Sequence, residues 1–209
     1  MAVLVLPFPA RRPWAWLRTH FAVALDTAAA GDVDPTVLAR ARQGDHRAFA
    51  QIVDRYDRQL RALAYRLLGD RDRMDDALQE AYVKAFRALP GFKGDSALGT
   101  WLHRIAYNAC MDEIRRDRRV LPLVDDADDG RETASPLPGP AELVAERQEL
   151  ADALAGLPVD QRAAVLLVDA YGFDYDEAAE ILSVRRGTIA SRLNRARTAL
   201  RAALAPGAA

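Results

Sequence analysis

The chain has 209 residues, enough for one or two small domains, and its 50% hydrophobic and 28% charged residues exclude a chain that is disordered throughout. A formal net charge of −1 excludes a histone-like coat of positive charge, although local charge still decides whether DNA is bound. The single cysteine, Cys110, excludes an internal disulfide, and with only three histidines the chain offers no zinc-ligand cluster.

Residues 1–33 differ in composition from the rest of the chain. They contain Pro7, Pro9 and Pro13 and then an alanine-rich stretch, which predicts a disordered N-terminal extension, and we assign it no function. The apolar start lacks a preceding basic region and is interrupted by proline, so it does not resemble a signal peptide. No run approaches the roughly 18 apolar residues of a membrane span. The single cysteine fits a reducing cytosol, so the sequence predicts a cytoplasmic protein.

Residues 34–119 predict a first domain built from consecutive helices. Asp34-Pro35 is a helix start, since proline suits the first helical position. Apolar residues at i, i+3 and i+4 spacing then predict helices over about 46–68, 72–89 and 97–118. Glycine and proline between these segments end one helix before the next begins.

Residues 120–140 combine acidic residues with prolines, which predicts a flexible linker. Residues 141–205 return to helical patterns and predict a second domain. Its helices are expected at about 141–155, 161–170, 175–182 and 186–204. No segment has the alternation of a strand. The predicted fold is therefore all-α, with two small helical domains joined by a flexible linker.

A short helix, a tight turn at Ser183-Val184 and a basic final helix form the pattern of a helix-turn-helix, a motif that binds duplex DNA. Residues 185–201 hold six arginines and no acid. Ile189 and Leu193 anchor the last helix inward, which turns its polar side outward, where arginine can bond guanine, asparagine can bond adenine, and further arginines suit phosphates. An arginine-rich helix that is merely solvated is the alternative. The predicted DNA-binding residues are Arg185, Arg186, Thr188, Ser191, Arg192, Asn194, Arg195 and Arg197.

The predicted helix at 72–89 has a polar and acidic face opposite its apolar one. This face contains Asp75, Asp76, Gln79, Glu80 and Val83. An acidic face at helical spacing is commonly just a solvated surface, and that interpretation stays open. The functional interpretation is a docking surface for a basic partner.

The loop after this helix and the start of the next helix combine aromatic with basic residues. Aromatic rings stack on unpaired bases and cations follow the backbone, which is the chemistry of single-stranded DNA binding. An unpaired base can also be flipped into a pocket and read on its Watson–Crick edge. The residues that suggest this are Phe92, Lys93, Trp101, Arg104, Asn108 and Arg115. For Trp101 a place in the hydrophobic core is an equal alternative.

The sequence offers no catalytic constellation. It contains no nucleophile–base arrangement, phosphate-binding glycine loop or metal-ligand spacing, and the pairs Asp75-Asp76 and Asp125-Asp126 are adjacent and do not converge on one helix face. We therefore predict a protein that is not an enzyme and has no catalytic residues, cofactor, metal or small-molecule substrate. From these residues, a stand-alone helix-turn-helix regulator that binds duplex DNA without a polymerase is one candidate.

Four segments in order resemble the extracytoplasmic-function (group 4) sigma factors of the sigma-70 family of RNA polymerase. They are Asp75–Phe86, Phe92–Asn108, Leu157–Arg162 and Gly187–Arg197, and the match spans about 36–204. The runs PVDQRAAV and WLHRI are most similar to the actinobacterial M-type members. The resemblance implies an alternative sigma factor, which binds core RNA polymerase, directs it to promoters through their −10 and −35 elements and initiates transcription.

The resemblance also implies a role for each segment. Asp75, Asp76, Gln79, Glu80 and Val83 would dock on the β′ coiled coil of polymerase. The −10 set would be Phe92, Lys93, Asp95, Ser96, Ala97, Trp101, Arg104, Asn108 and Arg115, with Phe92, the loop to Ala97 and Asn108 reading a flipped base. The last helix would enter the −35 major groove while its domain touches the β flap, and an anti-sigma factor would hold the protein inactive.

Two positions depart from the family pattern. Ala190 stands where a lysine or arginine usually precedes the serine, so one expected DNA contact is missing. Arg185-Arg186 stands where the family often has proline and a variable residue, and this pair can supply the lost phosphate charge.

Overall fold

The computed structural model describes residues 33–120 and 141–205, with side chains described over 33–117 and 148–205. All regular structure in these two stretches is helical, which confirms the predicted all-α class. None of the helices within them is long and apolar enough to cross a membrane. The predictions of a disordered extension and a flexible linker fall almost wholly on residues outside the described stretches.

The N-terminal unit, residues 33–120, contains four α-helices. They are α1 (Pro35–Arg42), α2 (His46–Leu68), α3 (Arg71–Ala88) and α4 (Leu98–Val120), with a 3₁₀ turn (Leu89–Gly91) between the last two. The long central helix α2 packs against the other three, and α3 packs along α4. Every predicted helix of this unit is present, with ends within two residues of the predicted ones.

Short polar residues define where these helices begin. The carboxylates of Asp34, Asp45 and Asp70 each accept a backbone N–H from the first turn of the helix that follows. At the other end of α2, Gly69 has φ 74°, a left-handed conformation that costs a glycine little and ends the helix. These caps set where α2 ends and where α3 begins.

The C-terminal unit, residues 141–205, contains the remaining helices. They are α5 (Ala141–Ala155), α6 (Val159–Val165), α7 (Tyr175–Ile181) and α8 (Arg186–Ala203), with a π-helical turn (Leu166–Ala170) directly after α6. The helix predicted over 161–170 is thus an α-helix that widens into a π turn, where the Tyr171 N–H bonds the Leu166 carbonyl 2.8 Å away. The buried Asp169 lies in this wider turn and faces Arg197 of α8, whose side chain is half-buried.

The two units are in contact with each other, an arrangement that the sequence did not predict. Helix α7 packs against α4, and α6 approaches the end of α2. Buried side chains from both units therefore form one continuous apolar cluster.

Candidate nucleic-acid interface

Helices α7 and α8 form the predicted helix-turn-helix. Asp174 begins α7 with a capping box, in which its carboxylate accepts two backbone N–H groups and Glu177 accepts the N–H of Asp174 in return. Ala178 is fully buried, which lets α8 cross α7 closely. Ser183 takes a left-handed φ of 52° in the turn, so the chain reverses over very few residues.

The outward face of α8 carries the polar side chains expected of a recognition helix. Ile189 and Leu193 are fully buried beneath it, as the sequence predicted. Thr188 is half-buried, and the exposed residues of the predicted set are Arg185, Arg186, Ser191, Asn194 and Arg195. Arg186 lies 3.4 Å from the exposed carboxylate of Asp176, a surface pair that water and salt screen. This face is therefore accessible to DNA.

Two arginines of the predicted DNA-binding set instead form ion pairs inside the unit. Arg197 donates two hydrogen bonds, of 2.6 and 2.9 Å, to Asp169, whose side chain is only 6% exposed. This bond raises the pKa of Arg197. Arg192 is 18% exposed, and its Nε lies 3.0 Å from Asp160 at the start of α6. Both arginines thus tie α8 to the segment around α6.

The loop between α3 and α4 rests on two aromatic rings. Phe92 and Trp101 are both buried, with ring centroids 5.2 Å apart. The structure thus places Trp101 in the core, the alternative that the sequence left open. Above the rings, Lys93, Asp95 and Ala97 are exposed and Ser96 is half-buried, while Gly94 has φ 82°.

Along α4 the predicted residues have different surroundings. Asn108 is exposed and lies on the same helix as Trp101, two turns further on. Arg115 is exposed and bonds Asp112 of its own helix at 2.8 Å. Arg104 lies 3.2 Å from Glu180, which belongs to α7 in the other unit. Of these three side chains, Asn108 is the one whose polar group is presented to solvent without a described partner.

The polar face of α3 is exposed along its length. Asp75, Asp76, Gln79 and Val83 all face solvent, and Val83, at 44% exposure, is the large hydrophobic side chain that is left exposed in the described part of the chain. Glu80 is half-buried. Val83 is thus a single apolar side chain among the polar residues of this exposed face.

Cations of the same unit neutralise two acids of this face. Asp75 is paired with Arg61 of α2. Glu80 lies 2.8 Å from Lys84 and 2.6 Å from Arg116, and these hydrogen bonds, that of Lys84 first, lower the pKa of Glu80. The pairs link the acidic face of α3 to α2 and α4, although water and salt screen them at the surface.

Comparison with known proteins assigns the chain to a family. The model of Sigma-70 region 2 matches residues 52–120, and that of Sigma-70 region 4 matches residues 147–200. The chain is 38% identical over 169 residues to the ECF RNA polymerase sigma factor SigM of Mycobacterium tuberculosis, a match covering 80% of this chain and 82% of the relative. It is 35% identical over 176 residues to the ECF RNA polymerase sigma-E factor of Escherichia coli, covering 80% and 92%. The chain belongs to the extracytoplasmic-function sigma factors.

Solved structures of this family have the same fold. CnrH, in complex with the cytosolic domain of CnrY, matches with a TM-score of 0.60 and 29% identity over 83% of this chain and 97% of that one. RpoE of Bartonella quintana, in complex with the anti-sigma factor NepR, matches with a TM-score of 0.61 and 34% identity over 76% and 98%. As an alternative sigma factor, the protein directs RNA polymerase to specific promoters, which confirms the function that the resemblance implied.

Sequence reasoning missed several residues that position the surfaces of this sigma factor. Asp169 is the acid of an otherwise apolar run, Ala163 to Tyr171, and that pattern is a signal for a buried partnered carboxylate. Tyr82 donates a 2.8 Å hydrogen bond to Asp57 across α2 and α3, and burial raises its pKa. Nothing in the sequence pairs these two residues, because they are far apart along the chain.

Proposed function

We propose that the N-terminal unit of this sigma factor binds core polymerase and reads the −10 element, while α8 of the C-terminal unit reads the −35 element. The observation that carries this proposal is that each role has its own exposed surface. The polar face of α3 is assigned to polymerase, the loop before α4 to the −10 element and the outward face of α8 to the −35 element. A chain that acts on polymerase and promoter DNA works in the cytoplasm.

The proposed polymerase contact is the strip of α3 that runs through Asp76, Gln79 and Val83. Asp75 and Glu80 flank this strip and are held in place by their cations. A partly apolar strip edged by acids suits a basic, partly apolar helical partner, and we propose the β′ coiled coil in that role. Contact of the C-terminal unit with the β flap is part of the same proposal.

For the −10 element, we propose that the exposed loop and Asn108 hold an unpaired base. The buried pair Phe92 and Trp101 forms a rigid base beneath the loop. Lys93 provides a cation for the backbone, and Ser96 and Asn108 provide hydrogen-bonding groups that can read a base edge. The remaining members of the −10 set, Asp95, Ala97, Trp101, Arg104 and Arg115, would shape and flank this site.

At the −35 element, the exposed residues of α8 are proposed to make the base and phosphate contacts. Asn194 and Arg195 lie on the same exposed face as Ser191, which is the arrangement required for major-groove readout. Arg192 and Arg197 are proposed as positioning residues, since their guanidinium groups bond Asp160 and Asp169.

An anti-sigma factor is a further proposed partner. The solved relatives were captured with CnrY and with the anti-sigma factor NepR. The similarity of this chain to both supports regulation by a protein that binds and sequesters it.

The assignment of surfaces can be tested with two promoter libraries, one randomised in the −10 element and one in the −35 element. Polymerase carrying the Asn108→Ala variant should lose base preference at one −10 position only, whereas Arg195→Ala should alter preference or affinity in the −35 library only. If either variant changes both libraries equally, or neither, the assignment is wrong.

A further inference from the structure

Tyr175, the first residue of α7, contacts two arginines of α8. Asp174 and Glu177 hold the backbone at this point in the capping box that begins α7. The guanidinium carbon of Arg186 lies 6.0 Å from the centroid of the Tyr175 ring. The hydroxyl of Tyr175 accepts a hydrogen bond from Arg197. One half-buried side chain of α7 thus contacts both the start and the middle of α8.

The arginine at the hydroxyl of Tyr175 is itself firmly held. Arg197 donates two hydrogen bonds to the buried carboxylate of Asp169. A buried ion pair of this kind is costly to break, because removal of one partner leaves an uncompensated charge. The hydroxyl therefore ties the Tyr175 ring to a fixed part of the C-terminal unit.

The arginine at the ring of Tyr175 is exposed instead. Arg186 lies 3.4 Å from Asp176, and about two thirds of each of these side chains is open to water. An exposed ion pair and an exposed cation over a ring are each weak interactions. Together they restrict where the Arg186 guanidinium lies, and they still leave it accessible to an anion.

Arg186 begins a line of exposed residues along α8. Ala190 and Asn194 follow at intervals of four residues, and both are exposed. Residues four apart on a helix are neighbours on one face, so the three positions form a single line. Because Ala190 has no polar group, Arg186 supplies the cation at the N-terminal end of this line. That end of a recognition helix is the part that meets DNA.

We propose that Tyr175 is a positioning residue for −35 recognition, which holds Arg186 where its guanidinium contacts a DNA phosphate. The inference rests on the proposed function, because it uses the assignment of α8 to the −35 element. The ring limits the positions that Arg186 can take before DNA is present. Less conformational entropy of this arginine is then lost when the phosphate binds.

The experiment measures promoter binding by core polymerase carrying the full-length chain, at several salt concentrations. The DNA is the promoter that the wild type selects from the −35 library. The slope of log affinity against log salt concentration changes by about 0.9 for each phosphate contact. Arg186→Gln should therefore reduce the slope by about one. Arg58→Gln, the same chemical change at an exposed position of α2, is the matched control and should leave the slope unchanged.

Two substitutions of Tyr175 separate its ring from its hydroxyl. Tyr175→Phe keeps the ring beside Arg186 and should retain most of the wild-type affinity and the wild-type slope. Tyr175→Leu removes the ring and should bind the promoter about two- to fivefold more weakly than Tyr175→Phe, the loss expected for one exposed contact between a cation and a ring. Circular dichroism verifies that each variant keeps its helical content.

The decisive comparison repeats the Tyr175 substitutions in the Arg186→Gln background. If Tyr175 acts through Arg186, the Leu and Phe variants should bind equally well in this background, because the arginine that the ring positions is gone. A purely structural role of Tyr175 would give the same loss in both backgrounds.

A cation placed one turn further along the same line should restore the phosphate contact. Arg186→Gln combined with Ala190→Lys should regain the wild-type slope, and Tyr175→Leu should no longer affect it. If the slope stays reduced, this line of α8 does not face the DNA backbone and the proposal is wrong.

An unchanged slope in Arg186→Gln would overturn the proposal, and so would a loss from Tyr175→Leu that is the same with and without Arg186. A wild type that selects no −35 sequence at all would contradict the proposed function instead. The two failures are therefore distinguishable.

Discussion

At the scale of single residues, arginines on one helix differ in whether they are exposed or paired inside the protein, and their charge alone does not show which. Arg195 and Arg197 lie two residues apart on α8, yet the former is exposed and the latter is bonded to a buried carboxylate. Two positions along a helix correspond to about 200°, so the side chains point to opposite sides. The sequence pattern predicted a DNA contact for both, because they are the same residue type and have similar neighbours along the chain.

This difference predicts opposite outcomes for the same substitution. Arg197→Met should lower the free energy of unfolding by about 2–4 kcal/mol, because it leaves the Asp169 carboxylate buried without its partner. Arg195→Met should change the free energy of unfolding by less than about 0.5 kcal/mol. It should reduce the slope of log promoter affinity against log salt concentration by about one, the change expected when one phosphate contact is lost. Urea unfolding and binding at several salt concentrations measure the two effects. An equal loss of stability in the two variants would contradict the assignment of Arg197 to an internal ion pair and of Arg195 to the exposed face.

His103 predicts a dependence of stability on pH. Burial lowers its pKa from 6.5 to about 4, and the neutral ring donates from Nδ1 to the Gly99 carbonyl, 2.7 Å away. The unfolded chain binds this proton more readily. The contribution of the neutral His103 ring to the free energy of unfolding is therefore fully present above pH 6.5 and is lost as the pH falls towards 4. We expect a loss of about 2 kcal/mol between pH 7 and pH 4.5 from this residue.

The variant His103→Gln is the control for this effect. Glutamine can donate the same hydrogen bond to the Gly99 carbonyl but does not titrate. The difference in unfolding free energy between wild type and variant should therefore shrink on acidification, while the effect of the carboxylates is common to both. A difference that stays constant from pH 7 to pH 4.5 would show that His103 is not held neutral.

At the scale of elements, the exposed strip of α3 predicts where polymerase binds. Val83→Asp places a charge in the apolar part of the strip and should weaken binding to core polymerase by tenfold or more, about 1.4 kcal/mol, with little change in stability. Ala88→Asp adds the same charge at an exposed position on another side of α3 and should have little effect. Affinity for labelled core polymerase measures both. A comparable loss in the two variants would mean that charge, and not this surface, controls binding.

The helices themselves were predictable because their information is local. Apolar spacing and the caps Asp45 and Gly69 define α2 from its first residue to its last. The pairing of Asp169 was not predictable from local spacing, because its partner Arg197 lies 28 positions further along the chain. For the same reason, the sequence showed which surfaces could bind DNA but not that Arg192 is already paired with Asp160.

At the scale of the whole molecule, the two helical units pack directly against each other. The sequence predicted two domains, and nothing in it indicated that they touch, because the contact joins side chains that are far apart along the chain, such as His103, Arg162 and Glu180.

Transcription with purified components tests whether this protein gives RNA polymerase its promoter specificity. Core RNA polymerase that lacks any other sigma subunit is mixed with the full-length protein on a genomic library, and the start sites are mapped. We expect the protein to associate with the core and the start sites to share two spaced elements upstream. Failure to associate with core polymerase, or start sites no different from those of the core alone, would contradict this expectation.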